Sequence, residues 1–155
     1  ACFNHSVVVT NINPENKIMK RSSRLQPLSR EHHKALVLSK KIEIADCSRL
    51  DELADLVQEF FVAELEPHFL TEELEFLPRL VKFGAKVFVQ QTLDEHQTLR
   101  SLIIEIRNGD IESLKKFGIL LADHVRFEER MLFPLAEQLL DAQWLSGAER
   151  VGKGV

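Results

Sequence analysis

One stretch of this chain is written twice. His68-Phe-Leu-Thr-Glu72-Glu73, closed by Leu77-Pro78, returns 56 positions later as His124-Val-Arg-Phe-Glu128-Glu129, closed by Phe133-Pro134. Residues four apart in an α-helix lie one turn apart on the same face, so each copy aims an imidazole and a carboxylate in one direction. Both groups can then reach one point in the core of a helical bundle, as metal ligands on a single rod do. Two copies predict two half-sites, and with them a fold of long helical rods.

From Pro27 onward the apolar spacing is helical. A first helix is predicted from about Ser29, read as its N-cap, to Ala45. Ser48-Arg49-Leu50-Asp51 resembles a capping-box start for a second helix, from about Arg49 to Phe83. Pro67 and Pro78 are expected to kink it or end its regular part. Gly84 separates it from a third helix over about Ala85 to Arg107. Asn108-Gly109-Asp110 supplies a stop and a new N-cap, and the fourth helix runs to about Leu140 with a bend at Pro134. The expected fold class is all-α, an up-down-up-down four-helix bundle with short connections. Residues 1–26 read as an irregular N-terminal extension, 27–140 as the bundle, and 141–155 as a tail in which Trp144 and Leu145 can dock. Within the extension Lys20 to Arg24 is a basic, solvated lead-in, Ser6–Thr10 is a doubtful strand and Met19 is a candidate native start.

The inward stripes carry polar groups at their centres. On the fourth helix Leu114, Phe117, Leu121, His124, Glu128, Met131 and Leu135 make one seam. The second gives Leu53, Val57, Phe60, Glu64, His68 and Glu72, and the third Val89, Leu93, His96, Leu99, Ile103 and Ile106. On the first helix the better stripe is Leu28, His32, Ala35, Ser39 and Ile42. The register through His33 would carry Lys40 and Glu43 inward, and His33 stands as the alternative to His32. Glu73 and Glu129 sit one residue off the ligand face and read as surface charges. A lone buried histidine is more often a hydrogen-bonded core residue than a ligand, and a glutamate on a helix is usually solvated. Burying even a neutral polar group without a partner costs roughly 2–7 kcal/mol, and a carboxylate more. Two carboxylates and four imidazoles on core seams therefore call for a cation. Each half of the chain supplies two histidines and one glutamate, which suits two metals bridged by the glutamates.

Imidazole and carboxylate without thiolate suit iron, manganese or zinc, and a dinuclear His/Glu core points to non-haem iron. The net charge of −4 gives no footprint for nucleic acid. No apolar run approaches a membrane span, and Val7-Val8-Val9 is too short for a signal-peptide core. Cys2 and Cys47 have no C-x-x-C spacing, so a reducing, cytoplasmic location is the default. The chain has no tyrosine, which excludes a tyrosyl radical of its own.

Glu31-His32-His33, His68-x-x-x-Glu72, Glu95-His96 and His124-x-x-x-Glu128, in that order and spacing, resemble the hemerythrin-like (HHE cation-binding) family over about residues 27–140. The resemblance implies two iron ions held by His32, His68, Glu72, His96, His124 and Glu128, bridged by glutamate and by oxo or hydroxo. It departs from the oxygen-carrying hemerythrins where Arg100 replaces a second histidine of the third helix, and where Glu128 replaces an aspartate one residue further on. Fewer imidazoles leave the iron less coordinated, which counts against reversible oxygen storage. The four-His, two-Glu set is similar to that of the iron-centre-repair proteins, whose Cys-containing N-terminal domain has no counterpart in residues 1–26. Glu64, one turn before His68, and Glu95, beside His96, are expected as outer acceptors on the ligand imidazoles or as proton and ion conduits.

The expected function is a di-iron protein binding or reacting with oxygen, nitric oxide or peroxide in sensing or stress response. One alternative is iron handling or iron-centre repair, with Glu64, Glu95 and Arg100 governing entry and release. Another is a metal-free helical interaction module.

Overall fold

A computed structural model describes residues 20–147. Ser6–Thr10 and Met19 lie outside the described residues. Four rods run α1 (Gln26–Ile44), α2 (Leu50–Phe60, continued by Glu66–Thr71 and Leu77–Lys82), α3 (Lys86–Arg107) and α4 (Ile111–Phe127, continued by Phe133–Leu139), with a short α5 at Ala142–Leu145. α1 starts three residues earlier than its sequence signal because Pro27 sits in the first turn, where no amide hydrogen is required. Ser29 is therefore inside the helix, and its hydroxyl donates instead to Glu129. The Ser48 box is absent too: Asp46 caps a 3₁₀ turn at Cys47–Arg49 that leads into α2. Asp110 caps α4 as its position predicts, accepting from the Glu112 and Ser113 amides. Gly84 and Gly109 turn the chain between rods with φ of 89° and 93°, a region that L side chains avoid.

The prolines do not break their helices. Each follows a five-residue π turn, at Phe61–Leu65, Glu72–Phe76 and Glu128–Leu132, closed by amide-to-carbonyl bonds of Glu66 to Phe61, Leu77 to Glu72 and Phe133 to Glu128. A proline ring collides with the carbonyl four residues back. For Pro67, Pro78 and Pro134 that carbonyl belongs to residue 63, 74 or 130, at the middle of each π turn. The wider turn relieves the collision and inserts one extra residue into the helical register. Hence the buried seam of α2 passes through Phe61 and Leu65 rather than Phe60 and Glu64, and that of α4 through Leu132 rather than the half-exposed Met131.

Two apolar clusters form the core, with the polar residues between them. Ala35, Leu38, Ile42, Val57, Leu65, Phe69, Leu99, Leu121 and Val125 belong to one. Leu28, Phe76, Leu80, Val89, Leu132, Phe133 and Trp144 belong to the other. Along α1 and α3 the chain passes from the second cluster to the first, and along α2 and α4 from the first to the second. Successive rods are therefore antiparallel, the up-down-up-down order expected. Trp144 docks on Phe76, with ring planes 11° apart. No helix among the described residues is long and apolar enough to cross a membrane.

Candidate metal centre

At the junction of the two clusters, every rod contributes one histidine and two also contribute a glutamate. His32, His68, His96, His124, Glu72 and Glu128 are all at least 96% shielded from solvent. Their ligand atoms fall into two groups, His32, His68, Glu72 and Glu128 in one, Glu72, His96, His124 and Glu128 in the other. Within each group the atoms lie inside 4.8 Å of one another. The glutamates belong to both. Glu72 directs Oε1 to His68 Nε2 and Oε2 to His96 Nε2, each at 3.3 Å. Glu128 directs Oε2 to His32 Nε2 at 2.9 Å and Oε1 to His124 Nε2 at 3.4 Å. These spacings match donor atoms sharing a centre: bonds of about 2.1 Å to one metal separate its ligands by ~3–4 Å.

The four imidazoles are oriented from behind. Each Nδ1 has a carboxylate partner on a neighbouring rod: Glu129 for His32 at 2.7 Å, Glu31 for His68 at 2.6 Å, Glu73 for His96 at 2.8 Å and Glu95 for His124 at 2.7 Å. The links close a ring around the bundle, with α1 serving α2, α2 serving α3, α3 serving α4 and α4 serving α1. In the neutral tautomer this pattern assigns, Nδ1–H donates outward and the Nε2 lone pair faces the centre. His32 and His68 then present their Nε2 atoms to each other at 3.1 Å. Among the described residues, both oxygens of Glu72 and of Glu128, and Nε2 of His96 and His124, are buried without a hydrogen-bond partner. The 2.9 Å approach of His32 to Glu128 is close but not along a hydrogen-bonding direction. Convergent acceptors with nothing to accept from are what a cation site requires and what a packed polar core avoids.

Without a cation, protons do part of this work. Burial alone would lower the His32 and His68 pKa values. The neighbouring Glu128 carboxylate and the hydrogen bond to Glu129 raise His32 to about 9, and the Glu72 charge with the Glu31 hydrogen bond raises His68 to about 10. Burial opposes ionisation of Glu72 as well, but the surrounding imidazoles hold its carboxyl well below the usual range.

His33, the alternative on α1, points to solvent. Glu95 stands on His124, one rod away from its neighbour His96. Glu64 meets the exposed Lys34 at 2.9 Å and is not among the carboxylates on an Nδ1 atom. The π turn at Phe61–Leu65 rotates it off the histidine's face. Sequence reasoning missed Glu31 as a partner of His68, and it placed Glu73 and Glu129 on the surface. Their signal was the Glu-Glu doublet present in both copies of the repeat.

Residues 23–136 match the hemerythrin HHE cation binding domain. Neither comparison with curated proteins nor comparison with solved structures gave a match. The match spans most of the chain, which belongs to the hemerythrin HHE cation-binding family. Membership and the buried His/Glu cluster together mark a metal-binding domain.

Proposed function

We propose that this member of the hemerythrin HHE cation-binding family is a non-haem di-iron protein. Its metal pair binds or reacts with a small ligand, oxygen, nitric oxide or peroxide, in sensing or stress response. The observation that carries the reading is the division of Glu72 and Glu128, each with one oxygen in either half-site. A carboxylate so placed would bridge two ions, and an all-nitrogen-and-oxygen donor set with two such carboxylates suits iron better than structural zinc. Each half-site offers two imidazoles and a share of two carboxylates, fewer donors than six-coordinate iron accepts. Bound iron would supply exchangeable electrons and an open Lewis-acidic position.

The chain's own residues do the rest. Glu31, Glu73, Glu95 and Glu129 hold the imidazole protons on Nδ1 and keep Nε2 free. Beside His32, His68 and His124 lies a cavity of about 10 Å³, with Ala35, Leu65, Phe69, Leu121 and Val125 in its wall. That is room for about one water-sized molecule, between these apolar side chains and the carboxylate-bearing Glu31 and Glu64. A cytoplasmic, reducing setting fits the exposed and unpaired Cys47.

Anaerobic loading with ferrous iron, then exposure to oxygen or nitric oxide, tests the proposal. Two irons per chain and new visible charge-transfer bands are expected. Full loading with no spectral response to either gas would refute the gas chemistry. An observation also favours the second reading, iron handling: the Glu31 side chain is 39% exposed while its carboxylate touches His68, so solvent reaches the partner of one ligand. Iron delivery to an apo-acceptor protein separates the two.

A further inference from the structure

The four acid–histidine links are not equivalent, and the difference follows the pseudo-twofold of the site. Behind His32, Glu129 is gripped three ways. Arg21 Nη2 donates to its Oε2 at 3.0 Å and to its backbone carbonyl at 2.9 Å, and Ser29 Oγ donates to Oε1 at 2.6 Å. The same guanidinium lies 5.5 Å from the Phe133 ring centre, and Phe133 stacks on His32 with planes 18° apart.

Behind His96 the arrangement recurs with other residues. Arg100 Nη1 donates to Glu73 Oε1 at 2.8 Å, while its Nε donates to Glu66 at 2.9 Å. Its guanidinium lies 5.6 Å from the Phe69 ring centre, and Phe69 stacks on His96 at 3.9 Å with planes 17° apart. Thus one imidazole in each half-site is held by a clamped carboxylate at its edge and a phenyl ring against its face, with one arginine touching both.

The other two imidazoles have neither support. Among the described residues Glu31 bonds only to His68, and Glu95 only to His124 and Gln91. Phe69 meets the His68 and His124 rings edge-on, at 63° and 86°. A carboxylate without a cation can rotate away with its imidazole, whereas Glu73, spanned by Arg100, and Glu129, held by Arg21 and Ser29, must each first break two charge-assisted bonds.

We propose that Arg21 and Arg100 are positioning residues that divide each half-site into an anchored imidazole, His32 or His96, and an exchangeable one, His68 or His124, through which metal enters and leaves. The inference rests on the metal-pair reading and extends it to exchange. It also gives Arg100 a task at a position where the oxygen-carrying hemerythrins place a histidine.

Cobalt(II), loaded anaerobically at two ions per chain and withdrawn by excess chelator, provides the test, because its visible bands report imidazole coordination. R21Q and R100Q are each expected to shift those bands and to speed one of the two release phases by about tenfold, the low end of what outer partners of metal ligands are worth. R126Q removes an equal charge from a solvent-facing pair with Asp123 and is expected to change neither readout. Lysine supplies one point charge where arginine spans two acceptors. R21K and R100K, which retain an ion pair should the glutamine variants fail to fold, are expected to release faster than wild type. Wild-type release rates and bands in the lysine variants, or in two-cobalt R21Q and R100Q, would overturn the inference. Wild-type protein that takes up neither cobalt nor iron would overturn the metal-pair reading, and this inference with it.

Discussion

Glu31 hydrogen-bonds His68 on the next rod, at 2.6 Å, and not its own neighbour His32. Adjacent residues of an α-helix diverge by about 100°, so when His32 points to the centre of the bundle Glu31 faces sideways toward α2. Glu95 does the same for His124 from α3. The Glu-His dipeptides are thus not local pairs. Each dipeptide places an imidazole in the centre and a carboxylate against the imidazole of the rod beside it.

Loss of that orientation is measurable. E31Q keeps the size of the side chain but replaces a carboxylate acceptor by an amide. Metal affinity is expected to fall about 10–100-fold. E64Q breaks only the exposed pair with Lys34 and is expected to leave affinity unchanged and stability within about 0.5 kcal/mol. Metal titration of both variants decides whether Glu31 or Glu64 serves His68.

Glu72 and Glu128, which would each bridge the proposed metal pair, are expected to be harder to lose. E72Q and E128Q each remove a charge from both half-sites at once, so each is expected to cost more than an outer partner does and to leave purified protein with less than one metal per chain. Elemental analysis checks this. Full occupancy in either variant contradicts a bridging role.

A sharper contrast separates the two histidines of α1. H32A removes a donor from the cluster and is expected to empty its half-site, whereas H33A alters an exposed ring and is expected to bind metal as wild type does. Equal metal loss in both would show that burial does not identify the ligand.

A metal bound at this site would compete with protons for the same nitrogens. His32 and His68 titrate at about 9 and about 10 in the metal-free fold, above the ~6.5 of an unfolded histidine. Their contribution to folding is therefore complete below about pH 6.5 and lost as the pH rises through 9 and 10. Metal-free protein is expected to melt at progressively lower temperature across that window. Loading at pH 7 should release protons, and apparent affinity should rise with pH. Thermal melts and proton release in weak buffer test both, and a flat metal-free Tm up to pH 11 would contradict the protonation pattern.

Packing between α1 and α4 depends on Gly118. A Cβ there would meet Ile42 Cγ2 at 3.0 Å, and Ile42 is itself buried. Alanine gains about 1 kcal/mol of helix propensity, but overpacking a filled core costs about 1–3 kcal/mol. G118A is expected to be destabilised by about 1 kcal/mol in denaturant titration. A stabilised variant would mean that Ile42 moves aside freely.

Legibility differed between rods. On α1 the stripe Leu28, His32, Ala35, Ser39 and Ile42 is buried throughout, and on α3 only Leu93 is less than fully buried. Neither rod contains a proline-induced π turn, so a constant period of 3.6 describes each from end to end. On α2 and α4 the same period slips by one residue where the backbone widens, which turned Glu64 and Met131 inward on paper and outward in the fold. The prolines announced a distortion, but not that it would add a residue to the helical register.

Spacing along one helix is a local property, and the sequence alone therefore determined four antiparallel rods with His32, His68, Glu72, His96, His124 and Glu128 on their inner seams. Which acid stands behind which imidazole is a relation between rods, and no periodicity within a rod contains it. The tertiary structure decided that Glu129 serves His32 and Glu73 serves His96, and that Arg21 and Arg100 reach those carboxylates. The physical reason is that the rotation of each rod about its own axis is set by close packing against its neighbours, and a π turn changes that rotation by about one residue.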